Sequence, residues 1–220
     1  FMQAVILATG KGTRLKPFTD KIPKPLLKVK NRVIILQTLS KLPDEIDEII
    51  IVIGYLGNII KEYLGDEYNG KKIIYVEQNK LLGSGHALKL CKKFLNDRFL
   101  VLMGDDIYSK KDLKECLNYS RCMLVYEQKK PFTGNDILVK DNIFVGLKKI
   151  VNQKNVLVNT AAYVLDMIFF DFKLIKIENS PEFSIPHTLA SITEKYPVKI
   201  IKTKKWKQIN TISDLNAANH

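Results

Sequence analysis

The densest chemistry in the chain lies early: Leu7-Ala8-Thr9-Gly10-Lys11-Gly12-Thr13-Arg14-Leu15, then Pro17, Thr19 and Ile22-Pro23-Lys24-Pro25-Leu26. Glycines at 10 and 12 let backbone N–H groups turn inward and come close to phosphate oxygens, an approach bulkier residues would block. Arg14, two positions after the second glycine, adds a planar and permanently charged fork. Lys24 is held between two prolines, so a second cation rides on a stiff segment. These residue types in this order suit phosphate binding. Two familiar phosphate loops fail on spacing. A dinucleotide fingerprint wants a third glycine where Leu15 stands, and a P-loop wants Gly-Lys-Ser/Thr at its end, which Lys16-Pro17 does not supply.

Such a loop must be held at a strand end, because parallel α/β sheets bind ligands outside the carboxyl ends of their strands. Gln3 to Ala8 is a buried-strand candidate directly before it. Apolar runs at Glu48 to Ile53, Ile73 to Glu77, Phe99 to Met103 and Arg121 to Glu127 alternate with helical patterns. Those patterns lie at Arg32 to Leu42, Asn58 to Leu64, His86 to Leu95 and Lys111 to Asn118. This alternation implies crossover units and a largely parallel sheet buried on both faces. After Pro131 the pattern changes. Ile137 to Val139, the turn Asp141-Asn142 and Ile143 to Val145 read as a β-hairpin. Val156 to Leu165 and Val198 to Thr203 read as further strands, and Ser213 opens a terminal helix.

The 220 residues are 46% hydrophobic and 26% charged, the balance of a globular chain that needs no disulfides to bury a core. Lys and Arg total 35 against 23 Asp and Glu, a net charge of +12, and apart from Arg14, Arg32, Arg98 and Arg121 the basic residues are lysine. That permits an anionic partner without identifying one. Pairs such as Lys148-Lys149 and Lys204-Lys205 are scattered, which favours a solvated lysine-rich surface over a nucleic-acid groove. Cys91, Cys116 and Cys122 have no CxxC spacing and His86, His187 and His220 form no HxxxH, which argues against a zinc site or a disulfide scaffold. No apolar run approaches ~18 residues, and no signal peptide precedes the first strand. The expectation is a cytoplasmic protein with Met2 as its natural start and no membrane or nucleic-acid partner.

Taken whole, Gly-x-Gly-Thr-Arg-Leu-x-Pro-x-Thr followed by Pro-Lys-Pro-Leu resembles the sugar-1-phosphate nucleotidylyltransferases, or nucleoside-diphosphate-sugar pyrophosphorylases. Ile51-Val52-Ile53-Gly54-Tyr55-Leu56-Gly57 resembles that family's second strand and glycine turn. Glu77-Gln78 with Leu82-Gly83-Ser84-Gly85-His86-Ala87 resembles its base-recognition segment, closest to the UDP-N-acetylglucosamine and UDP-glucose pyrophosphorylases. Gly104-Asp105 matches its Gly-Asp.

The resemblance implies an α/β fold: a Rossmann-like three-layer sandwich with a mixed, mostly parallel central sheet and a β-hairpin insertion. It implies one domain over residues 2–220, with a nucleotide-binding half at 2–130 and a sugar-binding half at 131–220. The implied reaction is Mg²⁺-dependent transfer of a nucleotidyl group from a nucleoside triphosphate, UTP or dTTP, to a hexose-1-phosphate, releasing pyrophosphate. Arg14 and Lys24 become the catalytic cations, on the β,γ-phosphates and on the α- and sugar phosphates respectively. Leu7, Ala8, Gly10, Gly12, Thr13, Gln78, Gly83 and Ser84 become nucleotide contacts. Asp105 and Asn210 become the Mg²⁺ ligands, and Asn152, Lys154 and Asn159 bind the sugar phosphate. Asp106 carries no role in this reading, His86 a structural one, and Trp206 belongs to the core. A homo-oligomer is left open.

Three positions depart from the family pattern. Asn152-Gln153-Lys154 stands where many relatives carry Glu-Lys-Pro, Ala161 stands where Gly is usual, and Gln208 stands where a second metal-binding Asp is usual. They keep open a catalytically weak nucleotide-sugar-binding paralogue, while cytidylyl transfer to a non-sugar phosphate stays open because the Gln78 amide can flip and disfavours cytosine only mildly.

Overall fold

Gln3 to Ala8 is apolar but for its first residue and buried throughout, and as a strand it sits inside the sheet rather than at an edge. The structure, a computed structural model, describes residues 1–219. The chain runs β1 (Gln3–Ala8), β2 (Lys28–Val29), β3 (Arg32–Val33), α1 (Ile34–Leu39), β4 (Glu48–Ile53), α2 (Gly57–Leu64), β5 (Glu67–Tyr68), β6 (Lys71–Glu77), α3 (Gly83–Leu90), β7 (Arg98–Met103), β8 (Asp106–Ile107), α4 (Lys110–Cys116) and β9 (Cys122–Gln128). It continues through β10 (Phe132–Lys140), β11 (Ile143–Gln153), β12 (Val156–Asp166), α5 (Ile185–Ala190), β13 (Lys199–Thr203), β14 (Lys207–Gln208) and α6 (Ile212–Asn219).

Ten strands form one mixed sheet in the order β10-β11-β13-β9-β12-β7-β1-β4-β6-β5. β1 pairs in parallel with β4 and β7, β4 with β6, and β13 with β9. β5, β11 and β12 run against their neighbours. The carboxyl ends of β1, β4, β6, β7, β9 and β13 therefore share one edge, and the glycine loop emerges there.

Alternation along β1 divides the core into two layers. Val5 and Leu7 pack with Ala87 and Leu88 of α3 and Ile185 and Leu189 of α5. Ala4, Ile6 and Ala8 pack with Ile35 and Leu39 of α1 and Leu113 and Cys116 of α4. Helices thus cover both faces, giving the three-layer α/β sandwich. Each fully buried Ile or Leu here contributes about 1.5–3 kcal/mol, which is why two helix layers can hold a sheet this wide.

Several boundaries differ from the sequence reading. The helix expected from Arg32 begins at Ile34, because Lys30 and Asn31 (φ 50° and 59°) form the two-residue turn of the β2–β3 hairpin. The helix expected from His86 begins at Gly83 and ends at Leu90, with a separate turn at Lys92–Phe94. The hairpin after Pro131 is present but longer than its apolar cores, and Asp141 and Asn142 (φ 52° and 59°) make its turn. Strand β5 and helix α5 had not been foreseen. β5 follows from an Asn69-Gly70 turn, and α5 from Ser184, whose hydroxyl accepts from the His187 N–H.

Candidate active site

At the end of β1 the chain folds through three short 3₁₀ turns: Thr13–Leu15, Phe18–Asp20 and Lys24–Leu26. Gly12 takes φ 62°, and a Cβ there would stand 2.9 Å from Thr19 Cγ2 and 3.2 Å from Lys24 Cβ. The loop therefore packs down on Lys24, and the Thr19 hydroxyl fixes it by donating to the Gly12 carbonyl at 2.9 Å. Leu15, where a dinucleotide fingerprint would have glycine, is fully buried with Leu27, Ile34, Ile209 and Leu215. That apolar anchor ties the loop to the carboxyl-terminal segment. Gly10 faces open space, and Thr13 and Arg14 are exposed. Leu7 and Ala8 are buried in β1, with only Thr9 and Gly10 turning out from it.

Beneath the loop Lys24 donates to two groups distant in sequence. Its Nζ lies 2.5 Å from Asp105 Oδ2 and 2.8 Å from Asn210 Oδ1. The two side chains of the ion pair are only 8% and 18% exposed, so water screens the pair weakly. Asp105 is set by Gly104, whose N–H donates to the Leu7 carbonyl and brings the end of β7 against β1. Asn210 is set by Asp214, whose Oδ2 accepts from the N–H groups of Asn210 and Thr211.

Asp106 is buried, and its Oδ2 accepts from Trp206 Nε1 at 3.0 Å. Burial and then the neighbouring Asp105 charge push the Asp106 carboxyl well above the usual carboxylate range, against the pull of Lys24 and the indole. Asp106, expected to take no part in metal binding, has a structural place: it pairs β8 with β14 and holds the half-buried Trp206. Gln208 pairs with Asp106 through the strand but is itself exposed and makes no bond to Lys24.

On the other side of the loop Gln78 is buried, and its Nε2 lies 3.1 Å from the Gly83 carbonyl and 2.9 Å from His86 Nδ1. A carbonyl can only accept, so the amide nitrogen faces Gly83 and His86 Nδ1 accepts the second proton. Burial, and then Lys89, lower the His86 pKa, which keeps that nitrogen free to accept. Gln78 Oε1 is buried and has no partner. Gly83 takes φ 86°, and a Cβ there would meet the Phe183 carbonyl at 2.5 Å. The Gly85 N–H donates to that carbonyl, the Phe183 N–H to the Leu82 carbonyl, and the Ile185 N–H to the Ser84 hydroxyl. The segment before α5 thus braces the base-recognition turn, a relation the sequence did not signal. A cavity of about 650 Å³ opens beside Lys11, Tyr55, Glu77, Gln78 and Asn79, and its lining includes none of Arg14, Lys24 and Asp105.

The residues expected to hold the sugar phosphate lie on β11, the turn after it and β12. Asn152 (φ 51°) lies near the end of β11 and Lys154 on the β11–β12 turn, both exposed. Among the described residues no hydrogen bond or ion pair joins them to the Lys24 cluster. Asn159 lies in β12, where its Oδ1 accepts from the Ala161 N–H and its amide nitrogen donates to the Tyr163 hydroxyl. It spans a bulge in the β12–β9 register in which Ala161 takes φ 55°. No group of three or more His, Cys, Asp or Glu that could hold a metal ion is present among the described residues. Nor is any helix there long and apolar enough to cross a membrane.

A large mixed sheet with a glycine loop over a lysine and an aspartate at its carboxyl edge places this site where α/β proteins bind their ligands. The Nucleotidyl transferase family matches over residues 3–122. A D-glycero-alpha-D-manno-heptose 1-phosphate guanylyltransferase from Campylobacter jejuni is 33% identical over 83% of this chain and 84% of its own length. The bifunctional protein GlmU of Methanocaldococcus jannaschii is 31% identical over 99% of this chain and 53% of its own. The chain thus spans about half the length of the GlmU relatives it matches. The structure of a glucose-1-phosphate thymidylyltransferase-like protein from Bacillus anthracis superposes with a TM-score of 0.86 at 25% identity, covering 100% of this chain and 94% of that one. This chain belongs to the nucleotidyl transferase family, among the sugar-1-phosphate nucleotidyltransferases.

Proposed function

We propose that the chain transfers a uridylyl or thymidylyl group from UTP or dTTP to glucose- or N-acetylglucosamine-1-phosphate. One oxygen of the sugar phosphate attacks the α-phosphorus, a new P–O bond forms, and the bond to the departing pyrophosphate breaks. The nucleophile is already ionised at pH 7, so the task is to bring two polyanions together and to stabilise charge as pyrophosphate leaves. The observation that carries this reading is Lys24, fixed by Asp105 and Asn210 directly under the glycine loop.

Lys24 would meet the α-phosphate and the sugar phosphate. Arg14, exposed on the loop, would swing onto the β- and γ-phosphates. The unpartnered Oε1 of Gln78 is an acceptor for the ring N–H of a pyrimidine. Asp105 and Asn210 would hold Mg²⁺ once the Lys24 ammonium, which now donates to both, moves onto the phosphates. One carboxylate and one amide oxygen form a hard-oxygen set that fits the ion when phosphates complete its shell. When bound, the ion would neutralise phosphate charge. Asn152, Lys154 and Asn159 would form the sugar side, with an amide replacing the carboxylate of many relatives.

The test is pyrophosphate release with Mg²⁺, crossing UTP, dTTP, CTP, ATP and GTP with glucose-, N-acetylglucosamine- and mannose-1-phosphate. Release that requires UTP or dTTP and one of the first two sugars is expected. Release with CTP alone, or with no sugar phosphate tried, overturns the reading. The missing carboxylates at Asn152 and Gln208 favour one second reading, a nucleotide-sugar-binding paralogue, which expects saturable nucleotide binding without turnover.

A further inference from the structure

A cavity of about 890 Å³ does not lie over the glycine loop. It opens where the carboxyl ends of β9 and β13 meet β14 and α6, and five lysines line it: Lys129, Lys130, Lys202, Lys204 and Lys207. Its volume is that of a small-molecule site. All five lysines are exposed, and among the described residues none of their ammonium groups has a carboxylate or a hydrogen-bond acceptor. Lys16, Lys24, Lys110, Lys114 and Lys149 pair with acids, while most of the chain's other lysines do not, so what sets the cavity's five lysines apart is that they line one space.

Two acids share the lining, Glu127 and Asp214. Asp214 is already spent on the two N–H groups that open α6. The cavity therefore keeps a net positive charge in a concave site, where low-dielectric walls concentrate the field. Its floor is aromatic, with Trp206 and Tyr126 ring centroids 5.7 Å apart and tilted by 50°. The indole cannot turn freely, because its Nε1 is bonded to Asp106. Lysines able to neutralise several phosphate oxygens around a fixed apolar ring describe a site for a phosphorylated small molecule.

We propose that this cavity is a second anion-binding site, separate from the glycine loop, and that it takes a small, multiply charged phosphate compound. The lysines would neutralise the phosphates, and the face of Trp206 would carry the apolar part of the ligand. The indole links the site to Asp106, the neighbour of Asp105.

Trp206 is the chain's single tryptophan, so its emission reports on this cavity. Inorganic tripolyphosphate titrated into the full chain without Mg²⁺ should change that emission saturably. Added KCl should weaken the response, since exposed charges are screened by salt. Arg14→Ala and Lys24→Ala, which strip the glycine-loop cations, should keep the response. The double variant Lys129→Glu/Lys204→Glu should raise the apparent Kd by roughly tenfold or more, as expected for losing charge-assisted bonds. The neutral pair Lys129→Gln/Lys204→Gln should fall between, and both variants should keep the wild-type circular dichroism and pyrophosphate release.

Four outcomes overturn the proposal. The response vanishes in Lys24→Ala, or it survives unchanged in the lysine double variants. Saturating glucose-1-phosphate displaces tripolyphosphate, which would make the cavity part of the acceptor site. A short single-stranded oligonucleotide binds more tightly than tripolyphosphate, which would make it a nucleic-acid surface. Absence of transferase turnover would not bear on this result, because the titration needs none.

Discussion

Lys24 Nζ stands 2.5 Å from Asp105 Oδ2, so the stiff Pro-Lys-Pro segment and the end of β7 meet in one ion pair under the glycine loop. Arg14, the other cation of the loop, is exposed. The two residues therefore separate chemistry from stability. Either Arg14→Ala or Lys24→Ala should cut turnover by ~10² or more if each stabilises transition-state charge. Lys24→Ala should also lower unfolding free energy by about 3 kcal/mol, because a poorly solvated Asp105 loses its partner. Arg14→Ala should stay within about 0.5 kcal/mol of the wild type, as exposed substitutions do. Rates and denaturant midpoints measured on both variants check the pair, and a near-normal rate in either removes that residue from the mechanism.

Ala161 explains a family preference in backbone terms. It takes φ 55° in the bulge that Asn159 spans, and a residue with a Cβ is strained there by ~1–2 kcal/mol. Glycine, usual at this place in relatives, is not. Ala161→Gly should therefore stabilise the protein by about 1 kcal/mol once the extra freedom of glycine in the unfolded chain is subtracted. Urea unfolding with an unchanged m-value and a higher midpoint is the expected result. A lower midpoint would mean that the methyl packs favourably enough to offset the strain.

Where neighbours in sequence decide the structure, the chain was readable. Gln3–Ala8 and Glu48–Ile53 match their expected bounds to the residue, because unbroken apolar runs of that length between turn signals have few alternatives. The glycine loop and Lys24 carried the family. What escaped depends on partners far away in sequence. Gly83-Ser84-Gly85 precedes the helix expected from His86, yet it forms the first turn of α3, where the backbone at Phe183 packs against the glycines. Asp106 read as a spare carboxylate, and nothing near it hinted at Trp206, 100 residues on. The Lys30-Asn31 turn was a different kind of miss. Its signal is local, but the apolar residues after it drew the helix boundary two residues too early.

Gln208 stands where a second metal-binding Asp is expected, Asn210 is the candidate substitute, and the two sit differently. Asn210 Oδ1 shares the Lys24 ammonium with Asp105, whereas Gln208 is exposed on β14. If Mg²⁺ binds here, Asn210→Ala should raise the Mg²⁺ concentration for half-maximal activity by roughly 10-fold or more. Gln208→Asp should leave it near the wild-type value. Calorimetric Mg²⁺ titration in the presence of a non-hydrolysable triphosphate provides a readout independent of rate. A marked tightening in Gln208→Asp would make Gln208 the weakened ligand and Asn210 a support for Lys24.

His86 gives the fold a pH dependence with a definite sign. Burial and Lys89 hold its folded-state pKa below the ordinary 6.5. Between those two values the unfolded chain binds a proton that the folded chain does not, so stability rises with pH through this window. It is complete above 6.5 and is lost as pH falls, when a protonated Nδ1 can no longer accept from Gln78 Nε2. Unfolding free energies between about pH 5 and pH 8 should therefore climb toward 6.5 and then level off. His187 is lowered as well, by burial, so the wild-type slope contains both histidines. His86→Asn should flatten the slope and His187→Asn should flatten what is left. Nucleotide affinity separates them further, because only His86 touches Gln78. It should weaken on acidification in the wild type and in His187→Asn but not in His86→Asn, and an unchanged acid loss in His86→Asn would detach this histidine from base recognition.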